Sequence, residues 1–239
     1  MADNEHKDLE KRTSFREIIN LITLTGFVYG PLDDRLSIRE ALEKNLKKPV
    51  PDHVNWLFCF GGVTFLLFIV QAFTGVLLLM YYQPTTAEAY KSVVHITNNV
   101  PFGWLMRGIH HWAANLMSVF CLLHMLRVFF YGAYKAPRDF NWVTGVMLLC
   151  VTLGFGFTGY LLPWNQISYW ATTVGTEVPS AMPVAGDLIK MLIRGGSDIS
   201  QATLTRFFAI HVLILPAAIA VFLISHFLMI RRQGISEAL

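Results

Sequence analysis

The residues of this chain best placed to do chemistry are histidines set in apolar sequence. Between Arg107 and Arg127 runs GIHHWAANLMSVFCLLHML, which carries His110, His111 and His124 and no charged side chain. Between Arg206 and Arg231 a second uncharged run carries His211 and His226. A neutral imidazole offers a ring-nitrogen lone pair to a metal centre. On a helix that turns ~100° per residue, His110 and His124, 14 apart, return to within ~40° of one face. His111 and His124, 13 apart, diverge by ~140°. His211 and His226, 15 apart, diverge by ~60°. The axial rise within each pair is roughly 21 to 22 Å. For any lone histidine in such surroundings, satisfaction by a neighbouring hydroxyl or carbonyl is the better explanation, and His111 keeps it.

Long apolar helices are needed to carry such residues, and the composition supplies them. The 239 residues are 54% hydrophobic and only 15% charged, too apolar for an ordinary soluble domain. The first 53 residues hold 9 of the 19 Lys+Arg and 10 of the 16 Asp+Glu, whereas 54–87, 108–126, 140–176 and 207–230 hold none. Each of these runs approaches or exceeds the ~20 residues that cross a bilayer core. The expected spans are A, 55–82; B, 107–130; C, 142–162; and D, 207–230, with 163–205 folded on one membrane face. The expected fold is an all-α integral membrane protein, a four-helix transmembrane bundle (54–239) preceded by a charged N-terminal region (1–53). In that region Ser14 and the apolar spacing after it suggest an amphipathic surface helix.

Basic residues flank the spans at Lys44, Lys47 and Lys48, at Arg127, Lys135 and Arg138, and at Arg231 and Arg232. The positive-inside rule puts both termini and the B–C loop on the cytoplasmic, negative side. A basic n-region followed by a short apolar core is missing at the N-terminus, so no cleavable signal is expected. The net charge of +3 is small and tied to membrane flanks, which argues against nucleic acid as a partner. Cys59, Cys121 and Cys150 form no CxxC or CxxCH, which argues against a disulfide framework and a two-thioether haem. A lone cysteine is ordinarily a small buried residue.

Topology then pairs the histidines. Spans B and D both run from the positive side inward, so His110 is level with His211, and His124 with His226. Two helices offering imidazoles at two matched depths can ligate two stacked haems in the core of a bundle. Polar groups at such depths are costly and usually functional. Gly61 and Gly75 on span A, and Gly145 and Gly159 on span C, repeat the 14-residue spacing. Glycine on the non-ligating helices lets a flat macrocycle approach closely.

The segments RGIHHW, CLLHMLR, TGYLLPWNQ, LTRFFAIH and HFLMIRRQGIS resemble the N-terminal, haem-carrying half of cytochrome b from quinol-oxidising cytochrome bc complexes. The 15-residue spacing in span D and the chain end just after it resemble the short, b6-type form. The resemblance covers about residues 30–239 and includes DDRLSIREALEKNLKKPVPDHVN as a surface helix. It implies a low-potential b haem at His110 and His211 and a high-potential one at His124 and His226. Quinol would be oxidised at the positive face, one electron going to a Rieske iron–sulfur protein and the other through the b haems to quinone at the negative face, with coupled proton translocation. Arg107 and Arg206, and Arg127 and Arg231, would neutralise the propionates of the two haems; snorkelling to the interface is the competing explanation for each. The quinol pocket would include Tyr169, Trp170, Ala171 and Val174. Cys59 matches a cysteine that in the b6 form holds a third haem by a single thioether, so a covalent c-type haem is expected there.

The family's Pro-Glu-Trp-Tyr segment does not occur in this chain, so a separate subunit, the C-terminal half of cytochrome b, should supply it. A Rieske protein and a c-type cytochrome are the other expected partners, in a homodimeric complex. The expected location is a bacterial inner membrane, with a thylakoid-type membrane second. The chain departs from the family where an acidic residue often serves quinone reduction: Lys44 stands there, with Glu43 beside it. Two other functions compete. A di-haem anchor of a formate dehydrogenase or hydrogenase normally spreads its histidines over more helices, and a transporter or structural bundle would carry no haem.

Overall fold

The computed structural model describes residues 51–236. The amphipathic helices expected before span A, with Glu43 and Lys44, lie outside the described residues. Among the described residues every regular element is helical. Four helices are long and apolar enough to cross a membrane: Trp56–Leu79, Gly103–Phe130, Asp139–Leu161 and Gln201–Gln233. They are spans A to D with shifted ends. Local chemistry sets those ends. The Asn55 side chain accepts from Leu57 N–H at 3.0 Å and caps the 3₁₀ turn Trp56–Cys59 that opens span A. Span B begins at Gly103, four residues before Arg107, because Phe102 takes a left-handed conformation (φ 58°) and turns the chain inward. A side chain on Gly103 would collide with the Ile96 carbonyl, so the turn admits only glycine. Span D starts at Gln201, where Ser200 and Thr203 form a reciprocal capping box.

Span D is not a uniform α-helix. Gln201–Ala209 and Leu215–Gln233 are α-helical, and Ile210–Ile214, which contains His211, is a π turn. Pro216 has no N–H to return to the carbonyl four residues back, so the ladder is broken where the helix widens. A single π turn absorbs one extra residue. The 15 residues from His211 to His226 therefore act as about 14 would, and the offset expected from uniform winding shrinks toward the ~40° of span B.

Span A packs chiefly on B, and span C on D. Large apolar side chains such as Leu66, Phe73, Val119, Val221 and Leu228 face outward, as they must where the surroundings are hydrocarbon. Threonines inside the spans do not leave hydroxyls bare: Thr74, Thr144, Thr152 and Thr158 each donate to the carbonyl four residues earlier, at 2.7, 3.0, 2.8 and 2.7 Å.

The connections sort to two ends. At the B–C end, His53 meets the Ser236 carbonyl at 2.8 Å, Arg138 donates to Gln233 O at 3.2 Å, and Gln233 donates to Pro137 O at 2.8 Å. At the C–D end, Gln201 accepts from Thr86 N–H at 2.7 Å and Tyr82 donates to Leu162 O at 2.6 Å. The A–B connection contains a helix, Ala89–Asn98, that the sequence reading did not anticipate. The 163–205 connection folds as Gln166–Glu177, a 3₁₀ turn Val178–Ala181, and Gly186–Arg194.

Candidate functional site

Each of the four paired histidines faces one of the four spaced glycines. A Cβ built on Gly61 would lie 3.0 Å from His124 Cε1, and one on Gly75 would lie 3.4 Å from His110 Cε1. On the other helix pair the same atom would lie 3.6 Å from His226 at Gly145 and 2.7 Å from His211 at Gly159. The glycines of span A thus seat the histidines of B, and those of C seat the histidines of D. Imidazole edges occupy the space that these glycines leave. Along the other direction His211 lies within electrostatic reach of His110, and His124 within reach of His226. The structure therefore brings together the two pairs that share a depth. His111 stands apart: it is exposed, and its backbone carbonyl accepts from Asn115 at 3.2 Å.

The two pairs differ in how their outer nitrogens are held. Thr74 Oγ1 lies 2.8 Å from His110 Nδ1, and Thr158 Oγ1 lies 3.0 Å from His211 Nδ1. Gln71 donates to the His110 carbonyl at 2.6 Å and ties the same turn to span A. His124 Nδ1 and His226 Nδ1 are buried with no hydrogen-bond partner among the described residues. The Asn141 main chain approaches the His226 ring but stays outside hydrogen-bond geometry. Thr144 precedes Gly145 as Thr158 precedes Gly159, yet its hydroxyl is bonded to Phe140 O and does not reach the ring.

These features fit axial ligation of haem. In each pair two helices carry imidazoles within electrostatic range of each other, glycines opposite prevent side chains from blocking them, and at the C–D end Nδ1 is engaged so that Nε2 is the free nitrogen.

The arginines divide. Arg107, Arg206 and Arg231 are exposed at span ends, and Arg206 is bonded through Nη1 to Leu192 O. Arg127 is partly buried: its guanidinium sits 3.3 Å over the Phe58 ring, and its Nε and Nη2 have no hydrogen-bond partner. Cys59 is exposed at the start of span A, one residue before Phe60 and two before the glycine that seats His124. Cys121 is buried, as a small lone cysteine ordinarily is, whereas Cys150 on span C is exposed.

Tyr169, Trp170, Ala171 and Val174 all lie on the Gln166–Glu177 helix; Tyr169 and Ala171 are partly buried, and Trp170 and Val174 are exposed at 59% and 67%. Sequence reasoning missed the group that anchors this helix. Arg194, only 3% exposed, donates to Thr176 Oγ1 at 2.7 Å, Thr173 O at 2.8 Å and Ser197 O at 3.1 Å, and pairs with Glu177 at 2.8 Å. Its own carbonyl accepts from Thr203, which joins the anchor to span D. The Lys190 ammonium, with Ser180 and Arg194, holds the Glu177 carboxyl down at about 2. The one sequence signal was an arginine closing the amphipathic piece DLIKMLIR.

Residues 45–234 match the family described as cytochrome b/b6/petB. Over 212 residues the chain is 50% identical to the cytochrome b6 of Gloeobacter violaceus, an alignment covering 89% of this chain and 99% of that one. It is 49% identical to the cytochrome b6 of Synechococcus elongatus and to that of Oltmannsiellopsis viridis, with the same 89% and 99% coverage. Among solved structures, a chain of a hyperthermophilic respiratory complex III is similar at a TM-score of 0.81 and 32% identity, covering 88% of this chain. This chain spans 56% of that longer one.

Proposed function

The chain belongs to the cytochrome b/b6 family, and from that premise we propose that His110 with His211, and His124 with His226, are the axial ligands of two b-type haems stacked along the bundle. It is an integral membrane protein and a haem-carrying electron-transfer subunit of a bc/b6f-type, quinol-oxidising complex. The observation that supports the ligand assignment is the one-to-one seating of four histidines against four glycines, with the two pairs each within electrostatic range at two depths. Haem, when bound, supplies reversible one-electron chemistry at its iron.

The chain's own residues do the rest. The glycines hold the rings at a fixed azimuth, and the ~21 Å rise along span B sets the sites apart across most of the membrane. The B–C end is the negative side and the C–D end the positive side, as the basic flanks argue. Arg127 carries a guanidinium with two unpartnered N–H edges, the donor that a propionate at the His124/His226 site would take; Arg107, Arg206 and Arg231 contribute more weakly from the surface. Tyr169, Trp170, Ala171 and Val174 form this chain's share of a quinol pocket at the positive face, and quinone is reduced at the negative face. A C-terminal-half cytochrome b subunit, a Rieske protein and a c-type cytochrome complete a dimeric complex. Cys59, exposed beside the His124 site, is the attachment point of a third haem through one thioether.

Haem counting tests the assignment. Purified protein should hold two extractable b haems, one after His110→Ala or His226→Ala and still two after His111→Ala; loss in the last alone would refute it. Denaturing electrophoresis with haem staining should show one covalent haem that disappears in Cys59→Ala; an unstained wild-type chain, or a stain that survives the substitution, would remove the third haem.

A further inference from the structure

The two threonines at the C–D end have a chemical consequence that follows from counting protons. A hydroxyl has one proton to donate. Thr74 Oγ1 lies 2.7 Å from Val70 O, and Thr158 Oγ1 lies 2.7 Å from Gly154 O. A carbonyl cannot donate, so the hydroxyl proton must lie between each of these oxygen pairs. Toward the imidazole each Oγ1 can then offer only a lone pair. The 2.8 Å and 3.0 Å contacts to His110 and His211 are therefore Nδ1–H donating to oxygen. Both rings are fixed in one tautomer, with Nε2 bare and turned to the ligand side. An Nδ1–H held by an acceptor makes the imidazole a more basic ligand, and a more basic axial ligand favours the oxidised metal. At the B–C end, Nδ1 of His124 and of His226 has no partner in hydrogen-bond geometry among the described residues, although the Asn141 main chain approaches the His226 ring.

We propose that Thr74 and Thr158 are positioning residues that lower the midpoint potential of the C–D-end haem relative to the B–C-end haem, by accepting from Nδ1 of His110 and His211. This rests on the bis-histidine reading above. The asymmetry arises within the polypeptide: the same fold element, a threonine one residue before the seating glycine, is bonded to the ring at Thr74 and Thr158 and misses it at Thr144.

The experiment is spectroelectrochemistry of the purified holoprotein, with both b-haem midpoints and the haem count read together. Thr74→Val and Thr158→Val should each raise the midpoint of the C–D-end haem and leave the other unmoved. Thr74→Ser and Thr158→Ser, which keep the hydroxyl, should retain the wild-type value, and Thr144→Val should move neither. Two haems per chain with an unshifted or lowered C–D midpoint in the valine variants overturns the proposal, as does an equal shift in Thr158→Ser. Should a valine variant lose its haem, the alanine variants are read instead; loss there too, with the serine variants loaded, assigns the hydroxyls to haem retention and sinks the claim on potential. A wild-type protein with no b haem would instead remove the underlying ligand reading.

Discussion

The C–D and B–C ends of this bundle hold equivalent histidine pairs that differ in their hydrogen bonding. At the C–D end, His110 and His211 are bonded to threonines, and the surface helices above them are locked by Arg194. At the B–C end, the buried side-chain atoms without a partner are His124 Nδ1, Arg127 Nε and Nη2, Arg138 Nε, Asn141 Oδ1, His226 Nδ1, Gln233 Oε1 and Ser236 Oγ. Among the described residues, every such atom lies at that one end. An unpartnered buried polar group costs about 1–3 kcal/mol, so the two ends differ in how well their buried polar groups are paired. Among the described residues, one end pairs its buried polar atoms and the other leaves these eight without a partner.

Breaking the C–D end should have the largest effect. Arg194→Met removes a buried guanidinium and three hydrogen bonds, and should destabilise the 166–194 segment by roughly 3 kcal/mol, the scale of breaking a buried charge network. Limited proteolysis should then cut within 163–200 while the bundle stays intact; protection equal to wild type would count against the anchor.

The glycines sharpen the comparison at each pair. Gly159→Ala puts a methyl 2.7 Å from the His211 ring and should cost about 1–3 kcal/mol and displace the C–D-end haem. Gly145→Ala, with 3.6 Å to spare, should be close to neutral in thermal stability and haem content. The same ordering, at smaller amplitude, should separate Gly61→Ala (3.0 Å) from Gly75→Ala (3.4 Å).

Acid should loosen the C–D surface. Because the folded Glu177 carboxyl is held down at about 2, chiefly by Lys190, its contribution is complete above the ordinary carboxylate range and is lost as pH falls from about 4.5 toward 2. Amide exchange in 166–194 should accelerate across that window in wild type, and Glu177→Gln should flatten the response.

The smallest effect is expected at the B–C end. Arg127→Met removes a guanidinium whose partners among the described residues are the aromatic rings of Phe58 and Tyr131, so the apoprotein should change by less than about 1 kcal/mol. Haem retention at the His124/His226 site should weaken all the same; equal haem content would argue against its propionate role.

The four spans were readable because charge-free runs longer than a bilayer crossing leave no other stable arrangement, and the histidine depths follow from helical rise alone. Span ends were less readable. The left-handed Phe102 and the Ser200 capping box depend on contacts with residues several positions away. The Ala89–Asn98 helix was missed because its polar and apolar residues average out without a long run.

Sequence by itself determined that imidazoles sit at two depths on two helices, with small residues at the same interval on two others, because rise per residue is a property of the backbone. Only the tertiary structure decided which glycine seats which histidine, that a π turn before Pro216 brings the 15-residue pair into line, and that hydroxyls reach two of the rings and miss the others. Those outcomes depend on tenths of an ångström between separate helices, and a one-dimensional period carries no such information.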